Sequence, residues 1–127
     1  MEKVKITLVG DIFPANLFYT IGFGVASEFY KHKGEPWLKQ LQSLLKGSDI
    51  AFGNLESPLI EDNLFTTINC FAGSYEFAFF LKQIGINIVS IANNHILEQG
   101  SEGFQSTIKY LENHQIKYIG KQINNTS

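Results

Sequence analysis

The chain has 127 residues, 44% of them hydrophobic and 17% charged, which is the make-up of one ordinary globular unit. Its net charge of −2, with all ten basic residues lysine and no arginine, excludes a generic nucleic-acid binder and any site that needs the guanidinium fork. One cysteine, Cys70, rules out an intrachain disulfide and reads as a small buried hydrophobe.

In chain order, "VKITLVGD" alternates into an apolar run and stops at Gly10-Asp11, the pattern of a first strand. The run "ITLV" is too short for a signal-peptide core or a membrane span. The chain is therefore expected in the cytoplasm, and at a membrane only through an anchor outside this sequence. Residues 13–34 read as a loop with short helical pieces, with the Lys31–Lys33 run on a solvated loop. "EPWLKQLQSLLKG" places Trp37, Leu38, Leu41, Leu44 and Leu45 at helical spacing, with Pro36 at the start and Gly47 past the end.

"SDIAFGNLE" predicts a second strand running into Asn54 and Glu56. Residues 58–73 read as an irregular segment or an edge strand. "SYEFAFFLKQIG" predicts a helix capped by Ser74, with Glu76 in its first turn and Gly85 at its end. "INIVSIA" is the third strand. "GSEGFQSTIKYLENHQ" is a helix capped by Ser101 with Phe104, Ile108 and Leu111 on one face, and "IKYIG" is a short fourth strand. Strands alternating with helices predict an α/β fold, a mostly parallel sheet with flanking helices joined by right-handed crossovers.

Parallel pairing brings three strand ends to one edge: Asp11, then Asn54 and Glu56, then Asn93, Asn94 and His95. Two readings stand side by side. Asn and Asp close turns and cap segments, and a histidine at a helix start is an ordinary polar residue. Strand carboxyl ends are also where α/β sheets bind ligands, and this oxygen-rich set with one imidazole suits Mn²⁺, Mg²⁺ or Zn²⁺. "GFG" at residues 22–24 lacks the Gly-Lys-Ser/Thr of a phosphate loop, and the sequons at Asn124 and Asn125 read as chance.

The stretches "VGD", "FGNLESPL" and "GINIVSIANNHILEQGSEGFQSTIKYLENHQIKYIG" resemble the CapA-type family of poly-γ-glutamate capsule synthesis, itself similar to calcineurin-like metallophosphoesterases. The likeness runs from Lys5 to about Asn124, and "NLE" and "ANNH" are its most specific parts. It implies that residues 1–127 form the N-terminal half of a metallophosphatase-like αββα domain of roughly twice this length.

The resemblance also implies metal ligands at Asp11, Glu56, Asn54 and Asn94, with His95 as a catalytic acid or electrostatic stabiliser. Asn93 takes the glycine position of the Gly-Asn-His motif. Asp11-Ile12-Phe13 departs from Asp-x-His, so one histidine ligand is missing, and neither His32 nor His114 matches a family motif. The expected cofactor is a weakly bound divalent metal, and Asp11, Glu56 and Asn94 are expected to converge upon it.

Expected partners are the capsule polymer or a phosphoester substrate, other proteins of the capsule machinery, and a second copy meeting an uncovered sheet edge or face. The implied activity is a metal-dependent hydrolase incomplete in this chain. The alternative is a non-catalytic assembly or export component.

Overall fold

A computed structural model describes residues 2–61 and 71–120. Four strands form one sheet: β1 (Ile6–Ile12), β2 (Ile50–Leu55), β5 (Ile88–Ser90) and β6 (Lys117–Ile119), in the order β1-β2-β5-β6 and all parallel. A second small parallel pair is made by β3 (Leu59–Ile60) and β4 (Gly73–Ser74). The helices are α1 (Val25–His32), α2 (Glu35–Leu45), α3 (Phe77–Ile84) and α4 (Gly100–Asn113), with a 3₁₀ turn at Phe18–Thr20. The α/β class and the parallel order of the four predicted strands are as the sequence pattern implies. Cys70 and the two sequons lie outside the described residues.

The core lies on one side of the sheet. Ala51 and Leu55 of β2 and Val89 of β5 face it, packed with Phe29, Phe77, Phe80, Leu81, Ile108 and Leu111. Phe29 meets Phe77 and Phe80 edge-on, at centroid distances of 5.0 and 5.5 Å. Asn87 fastens the start of β5 to the start of β2: its amide donates to the Asp49 carbonyl at 2.9 Å, and its Oδ1 accepts the Ala51 N–H at 3.0 Å.

Strand β1 is bulged between Leu8 and Asp11, with Asp11 paired to Asn54 and Ile12 to Leu55. The bulge sends both Val9 and Ile12 toward Gly53. A β-carbon there would lie 2.5 Å from Ile12 Cδ1 and 2.7 Å from Val9 Cγ2. Glycine at position 53 therefore makes room for the irregularity that delivers Asp11 beside Asn54.

Several local expectations are corrected. Lys31 and His32 close α1 and Lys33 is its left-handed cap, because Ala26 and Phe29 give this segment an apolar face to bury. Ser74 does not cap α3; it is the last residue of β4, and its Oγ accepts the Glu76 N–H at 3.2 Å. Helix α3 therefore starts at Phe77, and Glu76 is its N-cap rather than a first-turn residue. Ser101 lies inside α4, whose N-cap is Gln99. Leu44 points to solvent at 67% exposure, since α2 buries only a narrow stripe. No helix among the described residues is long and apolar enough to cross a membrane.

Candidate functional site

Asp11 ends the bulged part of β1, Asn54 is the penultimate residue of β2, and Glu56 follows β2. Because the strands are parallel, all three stand at the sheet's carboxyl edge. The Asn54 amide nitrogen donates to Asp11 Oδ1 at 3.0 Å and to Glu56 Oε1 at 3.1 Å. Two carboxylates thus converge on one amide, and among the described residues neither has an ion-pair partner.

Asn93 joins this group to the segment after β5. Its Nδ2 donates to Asn54 Oδ1 at 3.1 Å and to the Leu55 carbonyl at 2.8 Å. Its Oδ1 accepts the N–H groups of His95 and Ile96, each at 3.1 Å. This is the turn chemistry of asparagine: a short amide that imitates a backbone turn. The same residue serves both sequence readings, closing a turn and organising a site.

Asn94 and His95 stand one bond further out. Asn94 Nδ2 lies 3.2 Å from His95 Nε2, and Glu98 Oε1 lies 3.2 Å from His95 Nδ1. The imidazole stacks flat on Phe71, with 4.7 Å between centroids and 6° between planes. Phe13 meets both rings edge-on, at 6.4 Å from His95 and 5.7 Å from Phe71. Phe71 has a positive φ of 58°, rare for a bulky side chain, and its N–H donates to the Asn16 carbonyl at 3.1 Å. The position where the phosphoesterase pattern would carry a second histidine therefore holds a ring that props the first one.

The structure thus brings Asp11, Asn54 and Glu56 into one hydrogen-bonded group and keeps Asn94 outside it, bonded to His95. Sequence reasoning placed Asn93 in the polar cluster at the strand ends and gave it no ligand or catalytic role, although its turn signal was present. It missed Phe71 and Glu98. A carboxylate three residues after a histidine in a turn is a readable cue for Glu98, while nothing in the sequence marks Phe71.

The donor set is a test of the metal reading. Two carboxylates and one amide offer three oxygens if each binds through one atom and five if both carboxylates bind through two, with the Asn54 amide turning its Oδ1 inward, against the six of an octahedral Mg²⁺. Among the described residues no group of three His, Cys, Asp or Glu side chains gathers to hold an ion. These are oxygen donors alone, the kind a partly hydrated Mg²⁺ or Mn²⁺ accepts, and they include none of the nitrogen or sulfur that zinc sites usually add to carboxylate oxygen.

The Capsule biosynthesis protein CapA of Bacillus anthracis is 29% identical over 125 residues, covering 94% of this chain and 28% of that protein. Two uncharacterized proteins of Sinorhizobium fredii, y4sH and y4uA, are each 30% identical over 107 residues, covering 79% of this chain and 23% of theirs. The chain spans about a quarter of the length of the curated relatives it matches. Residues 5–127 match the family described as bacterial capsule synthesis protein PGA_cap, and the chain belongs to that family.

Proposed function

We propose that this CapA-type capsule biosynthesis chain carries the cation-binding part of a hydrolase-type domain acting on the poly-γ-glutamate capsule or on a phosphoester precursor. The observation that supports the reading is the convergence of Asp11 and Glu56 on Asn54 without a cationic side chain between them. Two like charges at one point are stabilised by a cation, and the Asn54 N–H group stands where that charge is needed. Asp11 and Glu56 would hold the ion, and Asn54 would add its oxygen only by giving up the bond it accepts from Asn93. A bound divalent cation polarises a substrate oxygen and acidifies water. His95, fixed by Phe71 and Glu98, presents Nε2 toward Asn94 and can hand on or accept a proton at that atom.

A second reading, a non-catalytic component of capsule assembly or export, is favoured by the sparse donor set. With only two anionic groups, this chain should bind Mn²⁺ weakly and turn over little or no aryl phosphate by itself. The test is Mn²⁺ binding followed by electron paramagnetic resonance, beside a phosphatase assay, on wild type, Asp11→Ala and His95→Ala. Weak binding abolished in Asp11→Ala and kept in His95→Ala is expected. No binding at millimolar Mn²⁺ would remove the cation site, and robust turnover lost in either variant would make this chain a complete enzyme.

A further inference from the structure

Six lysines collect at the amino edge of the sheet. Lys3 and Lys5 lead into β1, Lys46 closes α2, Lys82 lies in the last turn of α3 and Lys117 opens β6. Lys39 joins Lys46 along a cleft between α2 and α3. The edge is tied together strand by strand: the Asp49 N–H donates to the Lys5 carbonyl, the Asn87 side-chain amide to the Asp49 carbonyl and the Lys117 N–H to the Asn87 carbonyl, each at 2.9 Å. No ammonium group of the six has a carboxylate partner among the described residues, whereas Lys31 and Lys33 pair with Glu28 and Glu76. The nearby carboxylates of Asp49 and Glu112 accept the Lys5 N–H and the Tyr118 hydroxyl, each at 2.7 Å. Lysine at a helix C-terminus offsets the helix dipole, which accounts for Lys46 and Lys82 and not for the other four. Asp11 and Glu56 stand at the opposite edge, about 20 Å away by strand rise and so about two Debye lengths at physiological salt. The cationic edge therefore acts as a field of its own.

We propose that this edge holds an extended acidic polyamide, the capsular polymer of the proposed function, by its side-chain carboxylates. The choice of polymer rests on that function; the cationic edge does not. The cleft, of about 560 Å³, offers Lys39, Gln42, Ser43, Lys46, Ser48 and Gln83 and, among the described residues, neither a carboxylate nor an aromatic ring. Gln42 Nε2 donates to the Gln83 carbonyl at 2.9 Å and ties the two helices together across it. Ammonium groups bind carboxylates, and side-chain amides pair with a polyamide backbone. Nucleic acid is the poorer occupant: the chain has no arginine to fork a phosphate, and the cleft has no ring on which a base could stack. From Lys5 before β1 to Lys117 on β6 the edge spans three strand spacings, about 14 Å, so several carboxylates of one extended chain meet it together. A polymer held there approaches from the edge remote from Asp11 and Glu56, where its charge is not repelled.

Fluorescence anisotropy of labelled poly-γ-glutamate titrated with the full chain tests this. Binding is expected at about 20 mM NaCl and should weaken at least about tenfold by about 200 mM, as contacts that release counterions do. Lys46→Glu with Lys117→Glu should weaken it at least about tenfold, and Lys31→Glu with Lys109→Glu, the same change in net charge away from the edge, by less than about threefold. Far-UV circular dichroism of both pairs should match the wild type. Mn²⁺ binding should survive in the Lys46→Glu, Lys117→Glu pair, so the two sites fail separately. No binding at low salt, or equal loss in the two lysine pairs, would overturn the proposal. Competition by polyphosphate as strong, charge for charge, as by unlabelled polymer would overturn the choice of a polyamide. Binding lost in Asp11→Ala but kept in the Lys46→Glu, Lys117→Glu pair would overturn the proposal by moving the polymer to the carboxyl edge, and would leave the proposed function standing.

Discussion

Asn93 donates to the oxygen of Asn54, and that one bond decides which way the Asn54 amide points. With Oδ1 accepting from Asn93, Nδ2 is left facing Asp11 and Glu56. The ends of β2 and β5 are thereby locked in register, and the turn carrying His95 hangs from the same side chain.

Replacing Asn93 with alanine therefore removes four hydrogen bonds, two from each end of the amide. The exposed part of the turn recovers water, and the rest does not. A loss of about 2 kcal/mol is expected in urea unfolding. Asn93→Asp keeps the acceptor but sets a carboxylate against Asn54 Oδ1 and the Leu55 carbonyl, so it should not rescue stability. A rescue by aspartate would mean that turn closure alone is what Asn93 does.

Gly53→Ala tests the bulge. The new methyl would meet the tips of Ile12 and Val9, flexible ends rather than backbone, so repacking is the expected response. The cost should be about 1–3 kcal/mol. Because Ile12 follows Asp11, displacement of this strand should also weaken Mn²⁺ binding more than the matched change Gly10→Ala, where a β-carbon meets nothing within 4 Å. Equal effects at both glycines would detach the bulge from the site.

What could be read from the sequence follows from the range over which each signal acts. The four strands and helices α2, α3 and α4 announce themselves through apolar periodicity within a dozen residues, and their parallel order follows from the alternation. Helix α1 was hidden because Gly22, Gly24 and the lysines around His32 look like loop chemistry, while its apolar face rests on just two buried residues. Strand ends pointed to Asp11, Asn54, Glu56 and His95 because parallel topology alone gathers them. The bond pattern among them is tertiary: Asn54 can join Asp11 to Glu56 only after β1 pairs with β2, and Phe71 reaches His95 from 24 positions away along the chain.

Thr107 and Ser57 are both wholly buried hydroxyls with opposite expected behaviour. Thr107 Oγ1 accepts the Leu59 N–H at 2.8 Å and donates to the Gly103 carbonyl at 2.7 Å, so α4 substitutes for a missing strand beside β3. Thr107→Val strands that N–H and should cost about 1–3 kcal/mol. Ser57 Oγ has no hydrogen-bond partner among the described residues. Ser57→Ala removes an unsatisfied polar atom and should leave stability unchanged or raise it by up to about 1 kcal/mol. A large loss in thermal unfolding of Ser57→Ala would reveal a bound water or ligand at that hydroxyl.

Tyr118 supplies a test at alkaline pH. Its hydroxyl donates to Glu112 Oε1 at 2.7 Å, binding β6 to the last turn of α4. Ionisation would forfeit that hydrogen bond and place a phenolate against a carboxylate, so the Tyr118 pKa is raised above the ordinary tyrosine value. A group whose pKa is higher folded than unfolded contributes stability that is complete below the unfolded pKa, near 10, and is lost as pH rises through the folded pKa. The stability difference between wild type and Tyr118→Phe should therefore be flat from about pH 7 to about pH 9 and shift against the wild type above about pH 10. The two proteins' absorbance titrations, subtracted, should show one tyrosine ionising later than a free tyrosine. A difference curve centred at or below the free value would mean that the Tyr118–Glu112 bond does not persist in solution, and that β6 is held to α4 by packing alone.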